Sequence, residues 1–334
     1  MMGTGISIDD VARRLAELLG PADVHAGASV ARYTTWRVGG AATLVCVARD
    51  AERLRRAVET LRAAGLPWVV LGRGSNVLVD DSGVDGAVIV NRADALSIEE
   101  TRVRAESGVL LSVLARRTVE AGLVGLEWCH DIPGSVGGAV VNNAGANGGA
   151  MADALRTVRL LLVEGAVREE TAESLRFGYR QSALRREEPA PADTRPVVLD
   201  ATFGVARGDV GAIRERMAAQ RERRKRTQPG GASAGSTFKN PRGDSAGRLV
   251  ESLGLKGYRV GDASISTLHA NFIVTGPRAT AADVLALVGH ARSRVSDAYG
   301  IMLEPEIQYI YRDGRIGPPP PLEETQRYYE DEGT

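Results

Sequence analysis

One stretch narrows the possible folds more than any other. The apolar run Pro67-Trp68-Val69-Val70-Leu71 passes directly into Gly72-Arg73-Gly74-Ser75-Asn76, and Val77-Leu78 and the strand-like Ala87-Val88-Ile89-Val90 follow. A strand of that length ending in a glycine turn needs neighbours on both sides, and the preceding residues supply them. Thr43 to Val47 reads as a strand. Asp50 opens a helix with Leu54, Val58 and Leu61 on one face and Gly65 as its C-cap. An earlier helix opens at Ser7, with Asp10 three residues on, and carries Val11, Leu15, Leu18 and Leu19 before Gly20-Pro21 ends it. The result is a compact α/β unit whose glycine turn lies at a strand end.

A second α/β unit is expected beyond it. A helix from Leu110 to Ala121 leads into Ile132-Pro133-Gly134-Ser135-Val136-Gly137-Gly138-Ala139, and strands follow near 155–163 and 196–203. A helix from about Asp209 ends in the basic run Arg221 to Arg226 and is broken by Pro229-Gly230-Gly231, where a third unit begins. That unit holds a helix over 245–253, a strand at Asn271 to Val274 and a long helix capped by Thr280 with Asp283 at its third position. The chain then reads Pro318-Pro319-Pro320-Pro321 and an acidic tail, for which polyproline II and disorder are expected over 313–334.

At 334 residues the chain has room for two or three cores. Its 42 basic residues match its 42 acidic ones, so nothing calls for nucleic acid or a membrane surface as partner. With no apolar run of transmembrane length and no signal-like N-terminus, a cytoplasmic protein is expected. Cys46 and Cys129 cannot form a disulfide framework, and no Cys/His cluster has zinc spacing, so no metal is expected.

Three segments carry the chemistry. The Gly72 loop lets backbone N–H groups converge and suits a pyrophosphate, but it serves equally as a tight turn. It lacks the Lys-Ser/Thr pair of a Walker loop and the third glycine of a Rossmann loop. The Ile132 segment, lying alongside Asn142 and Asn143, either packs as a glycine turn or forms a second wall that clamps an extended cofactor with the first. Gly235-Ser236-Thr237-Phe238-Lys239-Asn240-Pro241 offers a hydroxyl, an ammonium and a carboxamide close together. Ser236 is a nucleophile or proton relay only if other groups assist it, and otherwise caps a turn. No Gly-x-Ser-x-Gly elbow surrounds it, and the four histidines supply no ordered triad partner, so hydrolase chemistry is disfavoured. Glu304 and Glu306 should share one face of an extended strand, and Arg180 in Phe177-Gly178-Tyr179-Arg180 is a fixed cation whose default role is a surface ion pair.

In order along the chain, Thr35-Trp36-Arg37-Val38-Gly39-Gly40, the Gly72 loop, Ile132 to Ala139, Asn143-Ala144-Gly145, Phe177 to Arg180, Gly235 to Pro241, His269 to Val274 and Leu303 to Glu306 resemble the UDP-N-acetylenolpyruvoylglucosamine reductase (MurB) family. The resemblance spans about Tyr33 to Tyr309. It implies FAD held by a vanillyl-alcohol-oxidase (PCMH-type) fold of two α/β subdomains, residues 1–90 joined by a strand from 303–312, and residues 91–207. A third, α+β domain over 208–302 would bind a UDP-sugar. NADPH reduces the flavin and leaves, and reduced flavin then reduces the enolpyruvyl ether to UDP-N-acetylmuramate, a peptidoglycan precursor. Carried over by motif position, Ser236 is the proton donor, and Arg180 and Glu306 flank the substrate carboxylate. Gly72, Arg73, Gly74, Ser75, Asn76, Val77, Leu78, Ile132, Pro133, Gly134, Ser135, Gly138, Asn142 and Gly145 contact FAD. Tyr179 and Asn240 bind substrate, with Asn240 at its diphosphate, and Lys225 and Arg226 add positive charge there. Proton resupply to Ser236 is expected through water, Lys239 or Glu306.

The short span between Arg180 and Ser236 resembles the family's second type, which lacks an inserted Tyr-bearing loop. Three residues depart from the pattern. Asp131, after His130, stands where the family commonly has Gly and would put a carboxylate at the flavin; Asn147 replaces a frequent Tyr and Gln308 a frequent Arg. The rival readings are an FAD-dependent sugar oxidase of the same architecture and a sugar-nucleotide-binding paralogue without activity. A monomer is expected.

Overall fold

The computed structural model describes residues 7–185 and 187–321. Helix α1 (Ile8–Leu19) opens at Ser7, whose hydroxyl accepts from Asp10 N, and buries Val11, Leu15 and Leu19, one face at helical spacing. Helix α2 (Ala51–Ala64) is capped by the Asp50 carboxylate on Arg53 N and ends at Gly65 in the left-handed region. Both cover a four-stranded sheet of β1 (Val24–Ala26), β2 (Ala42–Ala48), β5 (Val84–Asn91) and β3 (Trp68–Leu71), in that spatial order. Strands β2 and β3 run parallel to β5, which is buried on both faces and accordingly reads as near-continuous Ala, Val and Ile. Alternate residues serve two cores: Leu44, Cys46 and Ile89 lie under the helices, while Val45, Val88 and Val90 face the other way. Strand β4 (Val77–Val79) leaves this sheet at the Gly72 loop.

An antiparallel five-stranded sheet follows. It contains β6 (Leu96–Glu99) and β7 (Arg102–Glu106), then β8 (Leu155–Leu161), β9 (Val167–Thr171) and β10 (Val197–Gly204), ordered β9-β8-β10-β7-β6. Helices α3 (Leu111–Glu120) and α4 (Val136–Asn142) pack Leu114, Val136 and Val140 against Val103, Val158 and Phe203 on one face. From the other face Leu161, Val197 and Leu199 enter the core beneath α1 and α2. The two sheets therefore share a hydrophobic interior.

Beyond β10 come α5 (Val210–Thr227), α6 (Ala246–Ser252), a three-stranded sheet of Arg259–Val260, β11 (Ala263–Ile265) and β12 (Ile273–Thr275), and α7 (Ala281–Tyr299). Thr280 and Asp283 form the reciprocal cap of α7. Val284, Leu287, Val288 and Val295 of that helix bury against Leu249, Val250 and Ile273. Two contacts pin this body to the first sheet. Trp36, fully buried in its core, donates from Nε1 to Ile273 O at 3.0 Å and accepts at its own carbonyl from Thr275 Oγ1 at 2.7 Å. The Asp81 carboxylate accepts from Ala281 N and Ala282 N at 2.7 and 3.0 Å.

The chain then returns. Residues 303–307 run antiparallel to the Ser236 segment, with Lys239 N donating to Glu304 O and Glu306 N to Thr237 O. β13 (Gln308–Ile310) pairs parallel with β4. The tail expected to be unstructured from 313 instead turns at Asp313-Gly314 into β14 (Arg315–Gly317), which pairs with β13 and with Ala190–Pro191. An open edge on β13 outweighs the proline-rich composition just beyond it, and Tyr311 Oη donates to Pro318 O. The acidic end of the chain, 322–334, lies outside the described residues.

Trp36→Ala should lower the stability of the apoprotein by about 3–5 kcal/mol, measured by urea unfolding, through the cavity it leaves. Trp36→Phe, which keeps most of the packing and orphans the Ile273 carbonyl, should cost about 1–3 kcal/mol.

Candidate active site

A cavity of about 370 Å³ lies where the two sheets and the third body meet. Its wall includes every residue from Gly72 to Val77, Ile132 to Ser135, Gly138, Asn142, Gly145, Arg180, Ser236 and Glu306. Two glycines show how the loops create it. Gly74 has φ +61°, and a Cβ there would lie 2.3 Å from Tyr33 O, so the turn tolerates no side chain. Gly138 lies within α4, and a Cβ there would meet no protein atom within 4 Å, so the cavity reaches bare backbone. The second glycine segment is not the extended run expected. It enters α4 at Val136, with Gly137 N bonded to Ser107 O, because Gly137 permits the helix to pack directly on Ser107. Ser75 Oγ donates to Pro133 O at 2.9 Å and joins the two loops.

Arg180 sits in a two-residue turn closed by reciprocal 3.1 Å bonds between Gly178 and Gln181, and its own φ is +55°. A non-glycine residue in that region carries backbone strain of about 1 kcal/mol or more, which the surrounding structure must hold. Arg180 Nε lies 2.8 Å from Glu306 Oε1, with side chains only 21% and 16% exposed. This is no surface ion pair. Burial pushes the Glu306 carboxyl above its ordinary value, and the cations of Arg180, Arg185 and Lys239 oppose that rise.

Ser236 lines the main cavity and a neighbouring one shared with Asn240, His269 and Arg248. Its segment is held from outside: Thr237 N donates to Asn271 O, Phe238 N to Asn271 Oδ1, and Asn271 Nδ2 returns a bond to Phe238 O. Among the described residues Ser236 Oγ has no protein partner, so it does not cap a turn. Lys239 is buried and ion-paired with Glu304, and neither lines the cavity.

Several expected site residues lie elsewhere. Leu78 is buried beside Trp36 in the third core. Tyr179 is exposed, and its hydroxyl lies 3.5 Å from Asn240 N. Lys225 and Arg226 are on the exposed face of α5, Lys225 paired with Glu222. Arg224 and Gln228, one helical turn apart, line the cavity instead. A helix charged on every face gave no apolar stripe from which to choose. Asp131 does not face the cavity either. Its Oδ2 lies 2.9 Å from His130 Nε2, which lies 3.1 Å from Met217 O on α5, and its carboxylate offsets the burial that pulls Arg224 below its ordinary pKa. Asn147 Nδ2 donates to Trp128 O, behind the wall. Gln308 is at the wall, 4% exposed. Both thiols are buried and pushed up to about 12 by burial, and no group of His, Cys, Asp and Glu among the described residues could hold a metal.

A family model for the UDP-N-acetylenolpyruvoylglucosamine reductase C-terminal domain matches residues 227–310, and one for an FAD binding domain matches residues 42–170. The UDP-N-acetylenolpyruvoylglucosamine reductase of Chloroflexus aurantiacus is 40% identical over 294 residues, 87% of this chain and 98% of that protein. The chain belongs to this reductase family. The reductase of Synechococcus sp. (strain RCC307) is 42% identical over 298 residues, 87% of this chain and 95% of that protein. The crystal structure of the reductase from Thermus caldophilus matches at a TM-score of 0.71 and 40% identity, over 84% of this chain and 97% of that one. The expected flavin-binding α/β fold is thereby borne out, and the chain is a flavin-containing oxidoreductase.

The cavity fits such a cofactor. Gln228 Oε1 and Gln308 Nε2 are buried at its wall without a protein partner, an acceptor and a donor that a polar ligand would satisfy. A side chain at Gly138 would occupy ligand space and touch nothing else. Gly138→Leu should therefore keep the far-ultraviolet spectrum and the apoprotein's melting temperature, yet purify without the yellow flavin absorbance of the parent protein.

Proposed function

We propose that this reductase converts UDP-N-acetylglucosamine enolpyruvate to UDP-N-acetylmuramate with NADPH as reductant, using Ser236 as proton donor, with Arg180 and Glu306 flanking the reacting carboxylate. It acts as a single chain in the cytoplasm. The observation that carries the assignment is convergence: three side chains far apart in sequence face one cavity beside the two glycine loops.

FAD, held between the Gly72 loop and the Ile132 segment, would supply hydride-transfer chemistry to the enolpyruvyl group. The protein's own groups then manage charge and proton. Negative charge grows on the substrate carboxylate, and Arg180, fixed by Glu306 before substrate arrives, stabilises that charge more than it stabilises the substrate. Ser236 Oγ, free of protein partners, is available to protonate the adjacent carbon. Lys239, engaged by Glu304, is a poor source of a replacement proton. Glu306, whose carboxyl is pushed up by burial, shares the cavity with Ser236 and supports a route through itself or water. Arg224, on the cavity side of α5, takes the diphosphate-facing place expected of Lys225 and Arg226, with Asn240 in the adjoining cavity. The oxidase alternative finds no support in the family match, and the inactive-paralogue alternative none in the intact trio.

Ser236→Ala should slow reoxidation of the reduced flavin by the enolpyruvyl sugar nucleotide by about 100-fold or more, measured by stopped flow. Reduction by NADPH should change far less. Equal losses in both half-reactions would remove Ser236 from the proton-donor role.

A further inference from the structure

Arg185 lies behind the cavity wall, outside every motif that carried the family resemblance. Its Nη1 donates to Asn142 Oδ1, and its Nη2 donates to Glu306 O at 2.9 Å. Asn142 bonds in turn from Nδ2 to Gly138 O at 2.8 Å, so one guanidinium ties the cavity face of α4 to the backbone of Glu306. The same Glu306 carbonyl also accepts from Asn76 Nδ2 of the Gly72 loop at 3.2 Å. Both oxygens that Arg185 engages belong to amide groups. A neutral donor could make such bonds, and a buried cation is costly where its hydrogen-bond partners carry no charge. Burial does pull Arg185 below its ordinary pKa, with the carboxylates of Glu306, Glu304 and Glu187 opposing. What a cation adds over a neutral donor is its field.

We propose that Arg185 is a positioning residue for the reduction: it locks Glu306 to the flavin-facing end of α4 and supplies a second positive charge beside Arg180. This rests on the role of Glu306 proposed above. The charged groups acting on the Glu306 carboxyl are Arg180 from the Gly178 turn, Arg185 from the segment after it and Lys239 from the Ser236 loop. All three favour its ionised form, and removing any one should raise its pKa further.

The test uses the flavin-loaded enzyme and the pH dependence of flavin reoxidation by the enolpyruvyl sugar nucleotide, with Glu306→Gln identifying the limb that Glu306 contributes. Arg185→Gln should move that limb to higher pH by about one unit and slow the step about 10- to 100-fold, while reduction by NADPH changes far less. Arg185→Lys should leave the limb in place, because the charge remains, and still slow the step, because the two-pronged geometry is lost. An unmoved limb in Arg185→Gln would overturn the proposal, as would equal losses in both half-reactions. Should Arg185→Gln not fold, Arg185→Lys decides, and full parental rate there would refute the positioning role. A limb that survives in Glu306→Gln would instead refute the assignment of Glu306 itself.

Discussion

The backbone and carboxylate of Glu306 form the joint on which the site depends. Its N–H bonds Thr237 O, its carbonyl accepts from Asn76 and Arg185, and its carboxylate pairs with Arg180. Those partners come from the Ser236 loop, the Gly72 loop and the segment around the Gly178 turn. Two residues later the chain pairs with β4, which issues from the Gly72 loop. The returning strand therefore sets the distance between the Gly72 loop and the proposed catalytic groups Ser236 and Arg180. Pre-organisation of this kind matters because dipoles and charges fixed before the reaction need no rearrangement as charge develops.

The arrangement is costly locally. Arg180 adopts a backbone conformation that an L-residue resists, and Glu306, Arg185 and Lys239 are withdrawn from water. Arg180 pairs with Glu306 and Lys239 with Glu304, while Arg185 has only neutral oxygens, and a buried pair seldom gives more than it loses in desolvation. Stability must come from elsewhere, namely the continuous apolar faces shared between the two sheets and the Trp36 anchor in the third core. The polar joint sets geometry, and the apolar cores hold it there.

Much of this was readable in the sequence where the physics is local. Ser7 with Asp10 and Thr280 with Asp283 marked helix starts because a cap needs only a few residues. The strands near Thr43, Trp68 and Ala87 and the helix α2 between the first two followed from apolar runs and periodicity, whereas their order in the sheet did not. What could not be read depended on long-range packing. The basic run of α5 placed Arg224 inward and Lys225 and Arg226 outward, with no apolar stripe to show it. Asp131 turned toward His130 and α5 rather than into the cavity, a direction set by a helix more than 80 residues later. β14 formed because β13 presented an edge, a fact absent from its own glycine- and proline-rich neighbourhood. Arg185 carried no motif, and only its two acceptors reveal it.

The proposed reduction requires Arg180 and Ser236 to face the reacting end of the substrate while the two glycine loops hold the flavin. A crystal structure of the protein with FAD and the enolpyruvyl sugar nucleotide bound tests it most directly. The substrate carboxylate should lie against the Arg180 guanidinium, with Ser236 Oγ within about 3.5 Å of the carbon to be protonated. A carboxylate held away from Arg180, or a different donor at that carbon, would contradict it.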